Sequence, residues 1–153
     1  MQEVLPWLFW ARCFSHRLEL ACKNAFKSSL FTEINDMLLQ LFYLYKNSPK
    51  KTKELATIRE ELKGHFPKRG SAPIRCQGTP WITHKRRAIQ RIVARYGTYI
   101  QHLTAMVNDS DVKSADSAKL QGYLNKWAQG KMLIGCVMYA DILKAPSLLS
   151  LSL

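Results

Sequence analysis

The chain has 153 residues, 23 Lys+Arg against 11 Asp+Glu, a formal net charge of +12 and 47% hydrophobic residues. That is enough apolar material for one core, so wholesale disorder is excluded, while the excess charge calls for an anionic partner or an acidic surface. The apolar amino end carries Glu3 where a secretory signal needs positive charge, and Arg12 cuts it short, which argues against a signal peptide. No stretch is expected to reach the roughly 20 apolar residues that span a bilayer, because Gly135 and Asp141 interrupt Met132 to Leu143. Cys13, Cys22, Cys76 and Cys136 lie far apart without paired spacing, a pattern that suits reduced thiols better than a disulfide framework.

The expected class is mainly α, with a short strand at the start. Residues 4–14 are aromatic and apolar without helical period, and Pro6 sits early, so this segment is assigned as that strand. Residues 15–64 form a helical half. Leu18, Ala21, Cys22, Ala25 and Phe26 make one apolar stripe ending near Ser28. Thr32 is placed as the cap of a second helix carrying Ile34, Met37, Leu38, Leu41, Phe42 and Tyr45, which ends at Asn47 because Pro49 disfavours helical geometry at Ser48. Ser48 then caps a third helix, with Pro49 at its first position, Leu55, Ile58 and Leu62 as its stripe and Gly64 as its end.

Residues 65–80 contain three prolines and two glycines and read as a basic loop. Residues 81–146 form the second helical half. Ala88, Ile89, Ile92, Val93, Tyr96, Ile100, Leu103 and Val107 predict one long helix with Gly97 as a weak point. Leu120, Tyr123, Leu124 and Trp127 predict another, stopped by Gly130, and Met132 to Leu143 is apolar almost all round, as a central helix would be. Pro146 ends the pattern. The tail from Ser147 to Leu153 stops in a hydrophobic run, and the chain is expected to be a single partial domain of a larger fold.

Charge is concentrated. Between Leu62 and Asn108 stand Lys63, Lys68, Arg69, Arg75, Lys85, Arg86, Arg87, Arg91 and Arg95, and no Asp or Glu. Arg87, Arg91 and Arg95 recur every four residues and would share one helix face, where like charges repel unless phosphates neutralise them. The opposing expectation is a solvated face whose acidic partners lie elsewhere. Cys13 and His16 have the spacing of two metal ligands, but a structural zinc needs four, and Cys22, Cys76, His65 and His84 are distant. No metal site is therefore assigned. Local hydrogen bonds are expected there instead, and nothing marks a cysteine nucleophile with its orienting acid.

The run Cys13-Phe14-Ser15-His16-Arg17-Leu18-Glu19-Leu20 resembles the C-x-x-H-x-L-x-L motif of hAT-superfamily transposases, where it follows a strand of an RNase H-like fold. Tyr43 to Lys51, Gly78 to Lys85 with Ala88-Ile89, and Met138 to Leu143 with Leu149 to Leu151 resemble successive blocks of that domain. The version they resemble is found in vertebrate zinc-finger proteins descended from such transposases. The resemblance implies the helical insertion portion of the fold, a nuclear location and contact with DNA. In the family three acidic residues hold divalent metal for strand cleavage; no residue here matches them, so no catalytic residue and no cofactor are expected. Asp141 is read as a buried or partnered helix residue. The family's Arg-Trp pair is altered to Pro80-Trp81, which keeps a ring able to stack on a base for roughly 1–3 kcal/mol, or simply to pack the helix start.

Two functions follow as expectations. One is nucleic-acid binding through Lys85, Arg86, Arg87, Arg91, Arg95 and Trp81; the other is a helical module for a protein partner or a second copy. No membrane partner is expected.

Overall fold

The computed structural model describes residues 14–62, 72–78, 80–109 and 114–152, and every regular element among them is an α-helix. The eight helices are α1 (Phe14–Ala25), α2 (Ser29–Lys46), α3 (Pro49–Glu61), α4 (Trp81–Val93), α5 (Tyr96–Val107), α6 (Ser114–Trp127), α7 (Gly130–Ile142) and α8 (Lys144–Ser152). The mainly α class is thus observed. The strand expected at 4–14 lies outside the described residues except for Phe14, which opens α1.

Periodicity explains which faces meet. In α2, Ile34, Met37, Leu38, Leu41 and Tyr45 recur every three or four residues and are buried, closing on α3 and α7. In α4, Ile82, Lys85, Ala88, Ile89 and Ile92 form the buried stripe, and α4 packs on both α7 and α8. The helix α5 lies between α3 and α6. Gly135 of α7 permits the closest approach: a Cβ there would stand 3.0 Å from Ile34 Cδ1 and 3.4 Å from Leu30 Cδ2. Beside this contact Phe26, Phe31 and Tyr139 pack ring to ring, with centroids 4.6 to 5.2 Å apart.

That packing also moves a boundary. The second helix is capped at Ser28, four residues before the expected Thr32 cap, because Leu30 and Phe31 are drawn onto the core and Thr32 N–H already donates to Ser28 O. The third helix has the expected start: the Ser48 hydroxyl accepts from Lys51 N–H and Pro49 occupies the first position. It ends at Glu61, before Gly64, which lies outside the described residues.

The single long helix expected across Ala88 to Val107 is two helices. Arg95 leaves helical geometry at φ −135° and ψ 21° and starts α5, its carbonyl accepting from Tyr99 N–H. Its side chain is buried at 3% exposure, so the break turns a guanidinium inward. Two further signals act in the opposite sense to expectation. Gly130 opens α7 rather than ending α6, and Pro146 sits in the first turn of α8, where its missing N–H breaks no helical bond.

The expectation of a central α7 is corrected. Met132, Gly135, Cys136 and Tyr139 are buried, but Ile134 (66% exposed), Val137, Met138 and Ile142 face outward, as do Leu148 and Leu149 of α8. The core is assembled around α2 and α4, so α7 is covered on one side only. Asp141, expected to be buried or partnered, is exposed on that outer side. The segment Gly130–Ser150 is 21 residues long and contains an 18-residue window with a mean hydropathy of 1.5, so one stretch does have the length and composition of a bilayer span, contrary to the sequence expectation, with about 33% of that window buried against the fold.

Candidate nucleic-acid interface

The helix α4 and the start of α5 carry the predicted cations, and the fold divides them. Lys85 is 3% exposed. Its Nζ donates to Asn35 Oδ1 at 2.6 Å and stands 5.6 Å from the Trp81 ring centroid, tying α4 to α2. Burial pulls the ammonium below the usual lysine range, opposed by the neighbouring Cys76 and Asp36. Arg95 is equally buried, and both desolvation and the guanidinium groups of Arg91 and Arg59 weigh against its charge. These two cations therefore cannot meet a phosphate without leaving the core. Trp81 is half-buried, packed on the core with Lys85 over its ring, which matches a helix-start packing role.

Arg87 is exposed, and Arg86 and Arg91 are half-buried. Among the described residues Arg86 Nε is buried without a hydrogen-bond acceptor. The described cationic surface thus runs from Arg87 to Arg91, and α3 brings Arg59 into the electrostatic neighbourhood of the buried Arg95. Arg59 was missed by sequence reasoning because nothing in α3 signals that its last turn approaches the α4–α5 break. Arg75 is exposed, while Lys63, Lys68 and Arg69 of the basic loop lie outside the described residues, as does Cys13 of the family-like motif. His16 of that motif is exposed on α1.

A second polar cluster was not foreseen. His102 of α5 is 2% exposed and is held from both sides, its Nδ1 2.9 Å from the Tyr45 hydroxyl and its Nε2 3.2 Å from Glu54 Oε2. Because a carboxylate can only accept, Nε2 carries the proton that it donates to Glu54, and Nδ1 accepts from the Tyr45 O–H. Burial raises the Tyr45 phenol well above its ordinary range and so keeps that donor protonated. A cleft of about 370 Å³ lined by Glu54, Ile58, His102 and Met106 reaches the cluster. Both imidazole nitrogens are nevertheless engaged within the fold, so the cluster acts as a strut joining α2, α3 and α5. Its only trace in the sequence is spacing: His102 falls on the same face as Tyr99, Leu103 and Met106.

Elsewhere the Tyr96 hydroxyl donates to the Trp127 carbonyl, fixing the end of α6 on α5, and Thr83 Oγ1 lies 3.4 Å from Ser147 Oγ, joining α4 to α8. Cys76 and Cys136 are buried free thiols, and burial pushes Cys136 up to about 12. Among the described residues no group of three or more His, Cys, Asp or Glu side chains is placed to hold a metal ion. No family model, curated protein or solved structure matches the chain.

Proposed function

We propose that this chain is a domain descended from a hAT-type transposase, related to the helical insertion of its RNase H-like fold, that binds DNA in the nucleus without a catalytic role of its own. The observation that carries this reading is the cationic surface of α4, with Arg87 exposed and Arg86 and Arg91 half-buried beside it, while neither α4 nor α5 contains an Asp or Glu. Such a surface gains affinity by releasing counterions from a phosphate backbone. No residue matches the acidic triad of the resembled family, so none is assigned to metal-dependent cleavage. The test is fluorescence anisotropy with duplex and single-stranded DNA across a salt series. Binding that weakens steeply with salt supports the reading, and absence of binding at low ionic strength removes it.

A second reading, a helical interaction module, is favoured by a separate observation: six large apolar side chains stand exposed along α7 and α8. Contiguous apolar surface of this kind marks interaction sites more often than scattered hydrophobic residues do.

A further inference from the structure

The exposed residues of α7 and α8 form one surface. Stepping at 100° per residue, Ile134, Met138, Asp141, Ala145 and Leu148 run down its centre, with Val137 and Lys144 along one edge and Ile142 and Leu149 along the other; all nine are exposed. The stripe passes the joint between the helices without changing face, because Leu143 keeps helical geometry at φ −74° and ψ −7°. From Ile134 to Leu149 the two helices present a face about 24 Å long at 1.5 Å per residue.

The charges on this face are its informative part. Asp141 sits within the apolar stripe and Lys144 beside it, both exposed. A two-fold axis perpendicular to the helices, passing between Ile142 and Leu143, brings an identical antiparallel helix across the face. Residues at equal distances from that axis then oppose one another. Asp141 meets Lys144 of the second copy, Lys144 meets its Asp141, and Val137 meets Leu148, each pair lying to the same side of the centre line. Near the axis Ile142 meets its own counterpart. An isologous contact makes every pairing twice, so one complementary charge pair in the sequence becomes two in the dimer.

We infer that the α7–α8 face is the contact surface of an antiparallel homodimer, with Asp141 and Lys144 setting its register. This rests on the interaction-module reading and names the partner as a second copy of this chain. The alternatives fit the charges less well. A lipid surface would have to bury the Asp141 carboxylate among apolar chains with only Lys144 of its own chain to face it, which is costly. The net charge of +12 does not oppose self-pairing locally, since Gly130 to Ser150 contains only Lys131, Asp141 and Lys144. The remaining excess lies elsewhere and is screened beyond a Debye length of about 8 Å at physiological salt.

Sedimentation equilibrium of the full chain tests the inference, with circular dichroism to confirm that each variant is folded. The native chain is expected to be a concentration-dependent dimer. D141K and K144D each place like charges at both pairs and should weaken association by about 100-fold or more. The swapped variant D141K/K144D, and an equimolar mixture of D141K with K144D, should recover it, which an unspecific apolar contact would not show. Failure of both rescues, or a native chain that stays monomeric, overturns the inference. Two further arms separate that failure from failure of the parent reading. A monomer that binds an acidic amphipathic peptide or anionic phosphatidylserine vesicles, and loses that binding on I142D, keeps an interaction face with a different occupant. A monomer that binds neither removes both.

Discussion

The Tyr45 hydroxyl lies 2.9 Å from His102 Nδ1 across a separation of 57 residues, joining the last turn of α2 to the middle of α5. Tyr45 and His102 are each 2% exposed, so neither group can exchange its partner for water. Tyr45→Phe keeps the ring contacts and leaves a buried imidazole nitrogen unpaired. The expected loss is about 1–3 kcal/mol, read as a lower urea midpoint with an unchanged slope.

The same histidine makes stability depend on pH. Burial holds His102 below the ordinary imidazole range, with the Glu54 carboxylate acting in the other direction. The unfolded chain therefore takes up its proton first, near the unperturbed value of about 6.5. Below that pH the unfolded state binds more protons than the native state, and stability falls until the native imidazole is also protonated. The contribution is fully present above about pH 6.5 and is lost on acidification, with a slope of at most about 1.4 kcal/mol per pH unit. Urea midpoints measured on either side of neutrality should show this fall, and His102→Gln should flatten it. An equal fall in the variant would place its origin in other groups.

Gly135 is set by a close approach rather than by backbone conformation. Valine there would drive methyl groups into Ile34 and Leu30, because the Cβ alone already stands 3.0 Å from Ile34 Cδ1. Overpacking of this kind is expected to cost about 1–3 kcal/mol. Gly135→Ala should be close to neutral, since the crowding is offset by up to about 1 kcal/mol of helix propensity. Thermal melts of the two variants would distinguish a packing glycine from a permissive one.

The cations of α4 should separate by role. Arg87→Gln and Arg91→Gln are expected to weaken DNA binding, and each should lower the salt slope by about one for every phosphate left without its cation. Lys85→Met keeps the buried stem but removes the bond to Asn35, so its effect should appear in stability and not in the salt slope. A reduced slope for the Lys85 variant with an unaltered melting curve would put this lysine on the binding surface after all.

Local chemistry was legible where neighbours in the chain decide it. The three- and four-residue periods of α2 and α4 marked their buried faces, and Ser48-Pro49 marked the start of α3 through a hydroxyl cap and a residue that needs no N–H partner. The mainly α class and the acid-free run around α4 are likewise properties of residues close in sequence. What required the tertiary structure was the fate of side chains whose partners are distant. Lys85 and Arg95 share the composition of Arg87 and Arg91, yet only burial against α2 and at the α4–α5 break withdraws them from solvent. His102 acquires its meaning from Tyr45 and Glu54, and α7 could not be recognised as an outer helix because apolar residues on its covered and uncovered faces look alike in sequence. Periodicity reports which residues lie together on a helix; only packing decides which side of that helix another element covers, and so which charges and which apolar side chains are left for a partner.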